Sequence, residues 1–411
     1  MEIIRFPLLI FLFLGFGYSY VMFLTVHPLK MSRFLLIAVS TFTTGIFMLI
    51  TNFQGNALVI GTALALVSLM VAYIITTRHV LSREDPHPVP HLSRQKDDTG
   101  DGHTAVIYFT HGEPETYDPI GWINQFREFD EQKIPFVPLA ARPYFLHSLR
   151  KKYLAVGRSE HHSIHQRMIR LLEGEYRKEG DQSTRFYLCF LDDNPRPDAA
   201  VIQALNEGAS QIVVLEVFLT ISNHTAEGKH QIQSVLEQYP HITVSYTGPM
   251  HDSLLLQEMF VQRANQHNGS VDKSKIGILL VGHGQPDEWD KEWPTETEQE
   301  ISFRMDVLKR LGQDGYSPQN LSLAWMEFKE PKPAKKVEEF IANGVEKIIY
   351  FPAAISADSI HSQYDIPELI HKAKVPKDFP LVNLGAWNDD PMVIQAIKEK
   401  CDLVLSSNPY R

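Results

Sequence analysis

An internal repeat constrains this chain more than any other feature: residues 188–217 align without gaps onto 324–353, at a constant shift of 136 residues. Pro195 falls on Pro331, Pro197 on Pro333, Val201 on Val337, Gly208 on Gly344 and Ile212 on Ile348. Such self-similarity means two copies of one supersecondary unit. Each copy begins with an apolar run, turns at proline, continues as an amphipathic stretch such as 334–342, stops at glycine and resumes as a buried run such as 348–351. The order is strand, helix, strand, and a helix that crosses between two strands of one sheet makes them parallel.

The repeat extends in both directions. Residues 105–110 and 276–281 are short apolar runs, and each leads into a His-Gly pair, His111-Gly112 or His283-Gly284. Residues 244–252 and 381–389 each read as a strand, a glycine and an acidic turn, followed by a closing helix. Each half is therefore expected to be a small Rossmann-like α/β domain with about four parallel strands. In such sheets ligands bind beyond the carboxyl ends of the strands, where both His-Gly pairs fall.

After the second repeated strand each half supplies one more histidine, His224 in Ser222-Asn223-His224 and His361 in Ser359-Ile360-His361, with registers that differ by one residue. A lone histidine at a strand end is an ordinary surface residue. Two per half, at matching places on the ligand edge, point to a site. Neutral imidazole binds Fe, Co, Ni and Zn ions and accepts a proton near neutral pH. Cys189 and Cys401 are the only cysteines, which excludes a thiolate zinc site, an iron–sulfur cluster and a disulfide framework. Metal chemistry here rests on His, Asp and Glu.

The first 80 residues are of another kind. The runs 6–26, 34–51 and 57–77 contain no Lys, Arg, Asp or Glu, and each is near the ~20 residues that cross a hydrocarbon core. A cleaved signal peptide would account for the first run alone, so residues 1–80 are expected to be a membrane anchor of three transmembrane helices. Lys30 and Arg33 in the first connector and Arg78 and Arg83 after the third run put the soluble part on the cytoplasmic face of the cell membrane. Carriers and pores keep ionisable groups inside their helices, and none is present, which favours a tether. Residues 81–103, with Pro86, Pro88 and Pro90, are expected to be an extended linker, followed by α/β halves at 104–268 and 274–411.

The net charge of -10 without a long basic run argues against a nucleic-acid partner. There is no Walker-type phosphate loop and no Gly-x-Ser-x-Gly elbow. His161, His162 and His165 suit a solvated helix start capped by Ser159 or Ser163 better than a metal-delivery site. Arg142, Lys151, Lys152 and Arg158 fit substrate carboxylates or ordinary surface charge equally well. The loop 287–292 is expected over the cleft, with Trp289 and Trp293 stacking on a flat ligand or packing on the next helix.

Three strings carry a family resemblance: Leu279-Leu280-Val281-Gly282-His283-Gly284, Met326-Glu327-Phe328-Lys329-Glu330-Pro331 and His361-Ser362-Gln363-Tyr364-Asp365-Ile366-Pro367. In this order and spacing they resemble the sirohydrochlorin cobaltochelatase and ferrochelatase group of class II, ATP-independent tetrapyrrole chelatases. The resemblance extends from Thr104 to Cys401 and is strongest in the second half. It implies a lyase-type chelatase of siroheme or cobalamin biosynthesis that inserts Co²⁺ or Fe²⁺ into a tetrapyrrole such as sirohydrochlorin. His283 and His361 would be the metal-binding and proton-accepting pair, supported by Glu327 and Asp365. His111 and His224 would be further metal-binding histidines, lining the opposite wall or forming a second site. The metal is then a substrate, with no tightly bound cofactor, and the partners are the tetrapyrrole, the ion and the lipid bilayer.

The first half departs from the pattern, with Asp192-Asp193-Asn194-Pro195 at the acidic motif and Thr-Ala-Glu-Gly-Lys after His224 where the family has Asp-Ile-Pro. A fainter similarity to protohaem ferrochelatases lies in the long insertion, including 153–157 and 163–176. However, His361 stands where that family places a carboxylate. The alternatives are a non-catalytic tetrapyrrole or metal-binding carrier or sensor on the same fold, a porphyrin ferrochelatase, and an unrelated α/β regulatory domain.

Overall fold

The computed structural model describes residues 2–134 and 136–407. The chain divides into two compact units, one formed by residues 1–86 with 116–158, the other by 87–115 with 159–411.

The first unit is helical. Helices α1 (Glu2–Thr25), α2 (Pro28–Asn52) and α3 (Gly55–Leu81) are long and apolar enough to cross a membrane. Leu36, Ile50 and Val59 are exposed on their outer faces, an arrangement that costs free energy in water and none in lipid. Helices α4 (Ile120–Glu131) and α5 (Arg142–Val156) are fastened to the ends of α1 and α3. The last carbonyls of a helix lack intrahelical partners, and at α1 the buried Arg150 guanidinium supplies them, donating to Phe23 O at 2.7 Å and Val26 O at 2.9 Å. Tyr117 adds a bond to Thr25 O at 3.0 Å, and Tyr73 of α3 donates to Ala140 O at 2.6 Å. Val80 and Leu81 pack on Ile120, Ile123, Phe126 and Leu146. Residues 116–158, inside the span read from sequence as the first α/β half, thus cluster with the apolar helices.

The second unit holds the two α/β halves. The first contains β1 (Thr104–Thr110), α6 (His161–Lys178), β2 (Arg185–Phe190), α7 (Pro197–Asn206), β3 (Gln211–Glu216), α8 (Asn223–Leu236), β4 (Thr243–Tyr246) and α9 (Leu254–Gln266). The second contains β5 (Ile276–Gly282), α10 (Asp287–Glu292), α11 (Pro294–Gln313), β6 (Leu321–Trp325), α12 (Pro333–Ala342), β7 (Lys347–Pro352), α13 (Ile366–His371), β8 (Leu381–Asn383) and α14 (Pro391–Ser406). The two four-stranded sheets are ordered β2-β1-β3-β4 and β6-β5-β7-β8, with every neighbouring pair parallel. These are the two Rossmann-like halves expected from the repeat. One core joins them, in which Val213 and Leu215 of β3 and Ile349 and Phe351 of β7 meet Phe260 of α9, Phe303 of α11 and Trp387 from the turn before α14.

The ladders correct the ungapped alignment. Thr110 pairs with Phe190 and Gly282 with Trp325, so β2 and β6 correspond at a shift of 135 residues. From α7 and α12 onward the shift is 136. The turn after β6 holds one residue more than that after β2, and Phe328 within it takes the left-handed conformation at φ 51°. A one-residue slip inside a strand would turn every side chain to the opposite face, so the turn absorbs it. A second expectation is also corrected: 287–292 is a short helix, α10, rather than a loop.

Candidate functional site

The site is built on the glycine that follows each strand-end histidine. Gly112 has φ 102° and Gly284 φ 83°, conformations that glycine adopts without steric penalty. A Cβ on Gly284 would lie 2.5 Å from Glu327 O, and one on Gly112 would lie 2.8 Å from the Phe190 Cβ. This close passage lets the adjacent strand end bond across. The Glu327 N–H donates to His283 O at 3.0 Å and the Asp192 N–H to His111 O at 2.9 Å. Glu327 and Asp192 are therefore equivalent acids, one at the end of each second strand.

The same turn fixes the imidazole tautomers. His283 Nδ1 lies 2.7 Å from Gly284 O, and His111 Nδ1 lies 2.9 Å from Gly112 O. A carbonyl oxygen only accepts, so Nδ1 carries the hydrogen and Nε2 keeps its lone pair. His361 reaches the same state through another partner, with Nδ1 2.8 Å from Asp365 Oδ2.

The second histidine of each half is set by a serine. Ser222 Oγ accepts from Thr225 N, and Ser359 Oγ accepts from Ser362 N, each at 3.5 Å. His224 and His361 each stand two residues beyond that serine, which makes them structural equivalents and accounts for the one-residue offset between their registers. His361 occupies a single π-helical turn, His361–Asp365, that leads into α13.

The structure brings the histidines together in pairs. The His283 and His361 rings are 5.6 Å apart at 78°, and the His111 and His224 rings are 4.9 Å apart at 74°. Trp289 of α10 follows His283 in sequence yet stands 6.3 Å from the His224 ring of the other half. Both Trp289 and Gln285 are buried, so this segment packs in the unit. Among the described residues no group of three or more His, Cys, Asp and Glu side chains is arranged to hold a metal ion.

The rings of His283 and His361 are tuned in opposite directions. Burial lowers the pKa of His283, the neighbouring His361 adds to this, and Glu327 opposes without overturning it. Burial also acts on His361, but the Asp365 hydrogen bond and charge, with Glu327 and Glu113, outweigh it and raise its pKa above the usual value. His224 is held well below the ordinary range by burial, then by His111 and His283.

Glu113 was not found from sequence. It lies two residues beyond His111, yet its carboxylate accepts from Ile360 N in the second half at 3.0 Å. Its counterpart after His283 is Gln285, whose Nε2 donates to Asp290 Oδ1 at 2.7 Å. The acid in His-Gly-Glu, unmatched in His-Gly-Gln, was the available signal.

The group His161, His162 and His165 opens α6, where Ser159 Oγ accepts from His161 N at 3.3 Å, but the N-cap residue is Glu160 and neither Ser159 nor Ser163 is the cap. It is not solvated: His165 is fully buried, 2.9 Å from Tyr108 Oη and 3.2 Å from Ser356 Oγ. Helix α6 lays these rings against Phe190 of the sheet, which overrides their polarity. Arg142 is bonded to Asp130 at 2.7 Å within the first unit.

Comparisons with known proteins match a family model and several relatives to the chain. Residues 103–403 match the family model for ferrochelatase. The chain is 31% identical over 103 residues to a sirohydrochlorin cobaltochelatase of Methanothermobacter thermautotrophicus, covering 25% of this chain and 63% of that protein. It is 30% identical over 103 residues to a sirohydrochlorin ferrochelatase of Priestia megaterium, covering 24% of this chain and 38% of that one. The chain thus spans less than two thirds of these relatives. Among solved structures, SirB from Bacillus subtilis with Fe³⁺ is similar at 15% identity and a TM-score of 0.47, covering 73% of this chain and 94% of that one.

Proposed function

The chain belongs to the ferrochelatase family, and from that membership we propose that it is a membrane-anchored chelatase that inserts a divalent metal, Co²⁺ or Fe²⁺, into a sirohydrochlorin-type tetrapyrrole. One observation carries this reading: His283 and His361 stand 5.6 Å apart with Nδ1 of each engaged, which leaves two Nε2 lone pairs at one strand edge. The reaction exchanges M²⁺ for two pyrrole N–H protons, so it needs a group that releases an ion and a group that takes up a proton.

In this reading His283, held neutral by burial, presents the ion to the ring and releases it. His361 is the better base and accepts the two protons one after the other, passing each to solvent, while Asp365 and Glu327 stabilise the imidazolium formed each time. A pair of imidazoles binds an ion more loosely than a closed set of four ligands, which suits a metal that must leave. His111 and His224 form the corresponding pair of the first half, without an Asp-Ile-Pro sequence behind His224. Three apolar helices hold the enzyme in the cell membrane, with the α/β halves on the cytoplasmic side.

The test uses the full chain in detergent or nanodiscs, with sirohydrochlorin or a porphyrin and Co²⁺ or Fe²⁺, following the absorption spectrum. Insertion that His283→Ala and His361→Ala each reduce strongly supports the proposal. Insertion that survives both substitutions removes the residue roles and leaves the activity. Binding without insertion identifies a carrier or sensor.

A further inference from the structure

A cavity of about 520 Å³ lies in the first unit, between the last turn of α3 and helices α4 and α5. Its wall carries three aromatic rings, Phe126, Phe129 and Phe136, and two arginines, Arg78 and Arg142. They are not equivalent. Arg142 is bonded to the carboxylate of Asp130, also in the wall, and lies over the Phe126 ring at 4.9 Å. Among the described residues the Arg78 side chain has no ion-pair partner. The cavity thus offers a ring-lined space with one exposed cation that has no ion-pair partner, at the end of a membrane-length helix.

The surrounding charge has the same sign. Residues 1–86 and 116–158 contain twelve Lys or Arg and seven Asp or Glu, whereas the rest of the chain contains 27 and 42. A strongly acidic protein thus concentrates its positive excess in the unit that carries the apolar helices. Juxtamembrane cations of this kind attract anionic headgroups.

We propose that this cavity is a binding site for an anionic phospholipid, whose acyl segments lie on Phe126, Phe129 and Phe136 and whose phosphate meets Arg78. The site rests on the membrane reading above, since it opens beside the end of α3. A zwitterionic lipid brings its own cation and leaves Arg78 without net compensation, so the site selects for a negatively charged headgroup.

The experiment reconstitutes the full chain in nanodiscs of phosphatidylcholine, with or without phosphatidylglycerol, and measures by native mass spectrometry the lipid retained after detergent extraction. Retention of phosphatidylglycerol over phosphatidylcholine is expected, with Arg78→Ala weakening it about fivefold, the effect of one cation near an anionic surface. Arg78→Lys should keep most of the preference, and Phe129→Trp, which fills the space, should lower retention of either lipid. Soluble glycerol phosphate should not displace the lipid. Equal retention of both lipids, indifference to Arg78→Ala and Phe129→Trp, or displacement by glycerol phosphate overturns the site. Carbonate washing of native membranes tests the premise separately: release of the chain removes the anchor and the site with it, while a chain that stays yet shows no preference removes the site alone.

Discussion

The carboxylate of Glu113 in the first half accepts the backbone N–H of Ile360 in the second half at 3.0 Å, one residue before His361. The two halves are thus joined one residue from His361. A bond to a charged acceptor is worth ~1.5–3 kcal/mol, enough to hold a single turn in place. Glu113→Ala is expected to lower the rate of metal insertion about tenfold, the low end for losing a group that orients a ligand. Glu113→Gln, which keeps an acceptor for Ile360 N, should retain more. The initial rate of the absorption change measures both, and an unchanged rate in Glu113→Ala would exclude this positioning role.

Asp365 is expected to set the pH dependence of metal insertion. Burial disfavours the charged form of His361, but the Asp365 hydrogen bond and charge prevail and raise its pKa above 6.5. A proton acceptor must be neutral, so the rate should climb as pH rises through the folded pKa of His361. Asp365→Asn removes the main charge that raises this value, and the rising limb should move to lower pH while the plateau falls. Stability follows the opposite course. A raised pKa means the folded state holds the proton more tightly, a contribution present below 6.5 and lost as pH rises through the folded value. Rate profiles of the two proteins that superimpose in pH would refute this role of Asp365.

The sequence showed much of this architecture because a duplication writes its signals twice. The paired His-Gly strings, the Pro and Gly punctuation and the alternation of strands and helices located both sheets, their parallel order and all four histidines. What it concealed depended on contacts between distant segments. Glu113 is two residues from His111 in sequence but acts on Ile360 of the other half. The extra residue at Phe328 cannot be seen without the β5–β6 ladder, which shows the strands in register across it. The histidines of α6 read as a polar helix start, and their burial became clear only once Tyr108 and Phe190 were seen against them. Residues 116–158 carry no periodicity that distinguishes packing on a sheet from capping the end of α1, as Arg150 does.

Acid stability should be governed by the buried histidines. His165 is pushed down to about 3, first by burial and then by His162. The folded protein refuses a proton that the unfolded chain accepts below 6.5, so this stability is complete above that pH and falls as pH drops toward the folded value. The loss is ~1.4 kcal/mol per pH unit for one such group. His161, His224 and His283 are shifted in the same direction. Denaturant midpoints measured at several pH values should therefore fall on the acid side of neutrality. His165→Gln, which preserves partners for Tyr108 and Ser356, should reduce the slope by about one proton's worth; an unaltered slope would show that His165 is not held neutral.

Gly284 separates backbone strain from steric exclusion, because a matched control exists in the same half. Gly344, just past α12, has φ 79° with nothing within 4 Å of an added Cβ, whereas Gly284 has φ 83° and would bring Cβ within 2.5 Å of Glu327 O. Alanine at either position meets the same left-handed penalty of ~1 kcal/mol. At Gly284 it must also displace the backbone that bonds His283 O to Glu327 N, adding ~1–3 kcal/mol of overpacking. Gly344→Ala should therefore lower the melting temperature slightly and leave metal insertion intact. Gly284→Ala should melt lower still and lose activity out of proportion to its stability, because the strain falls on the turn that fixes the His283 tautomer. If the two alanine variants melt and turn over alike, the close passage of Gly284 beneath Glu327 contributes nothing specific to the site.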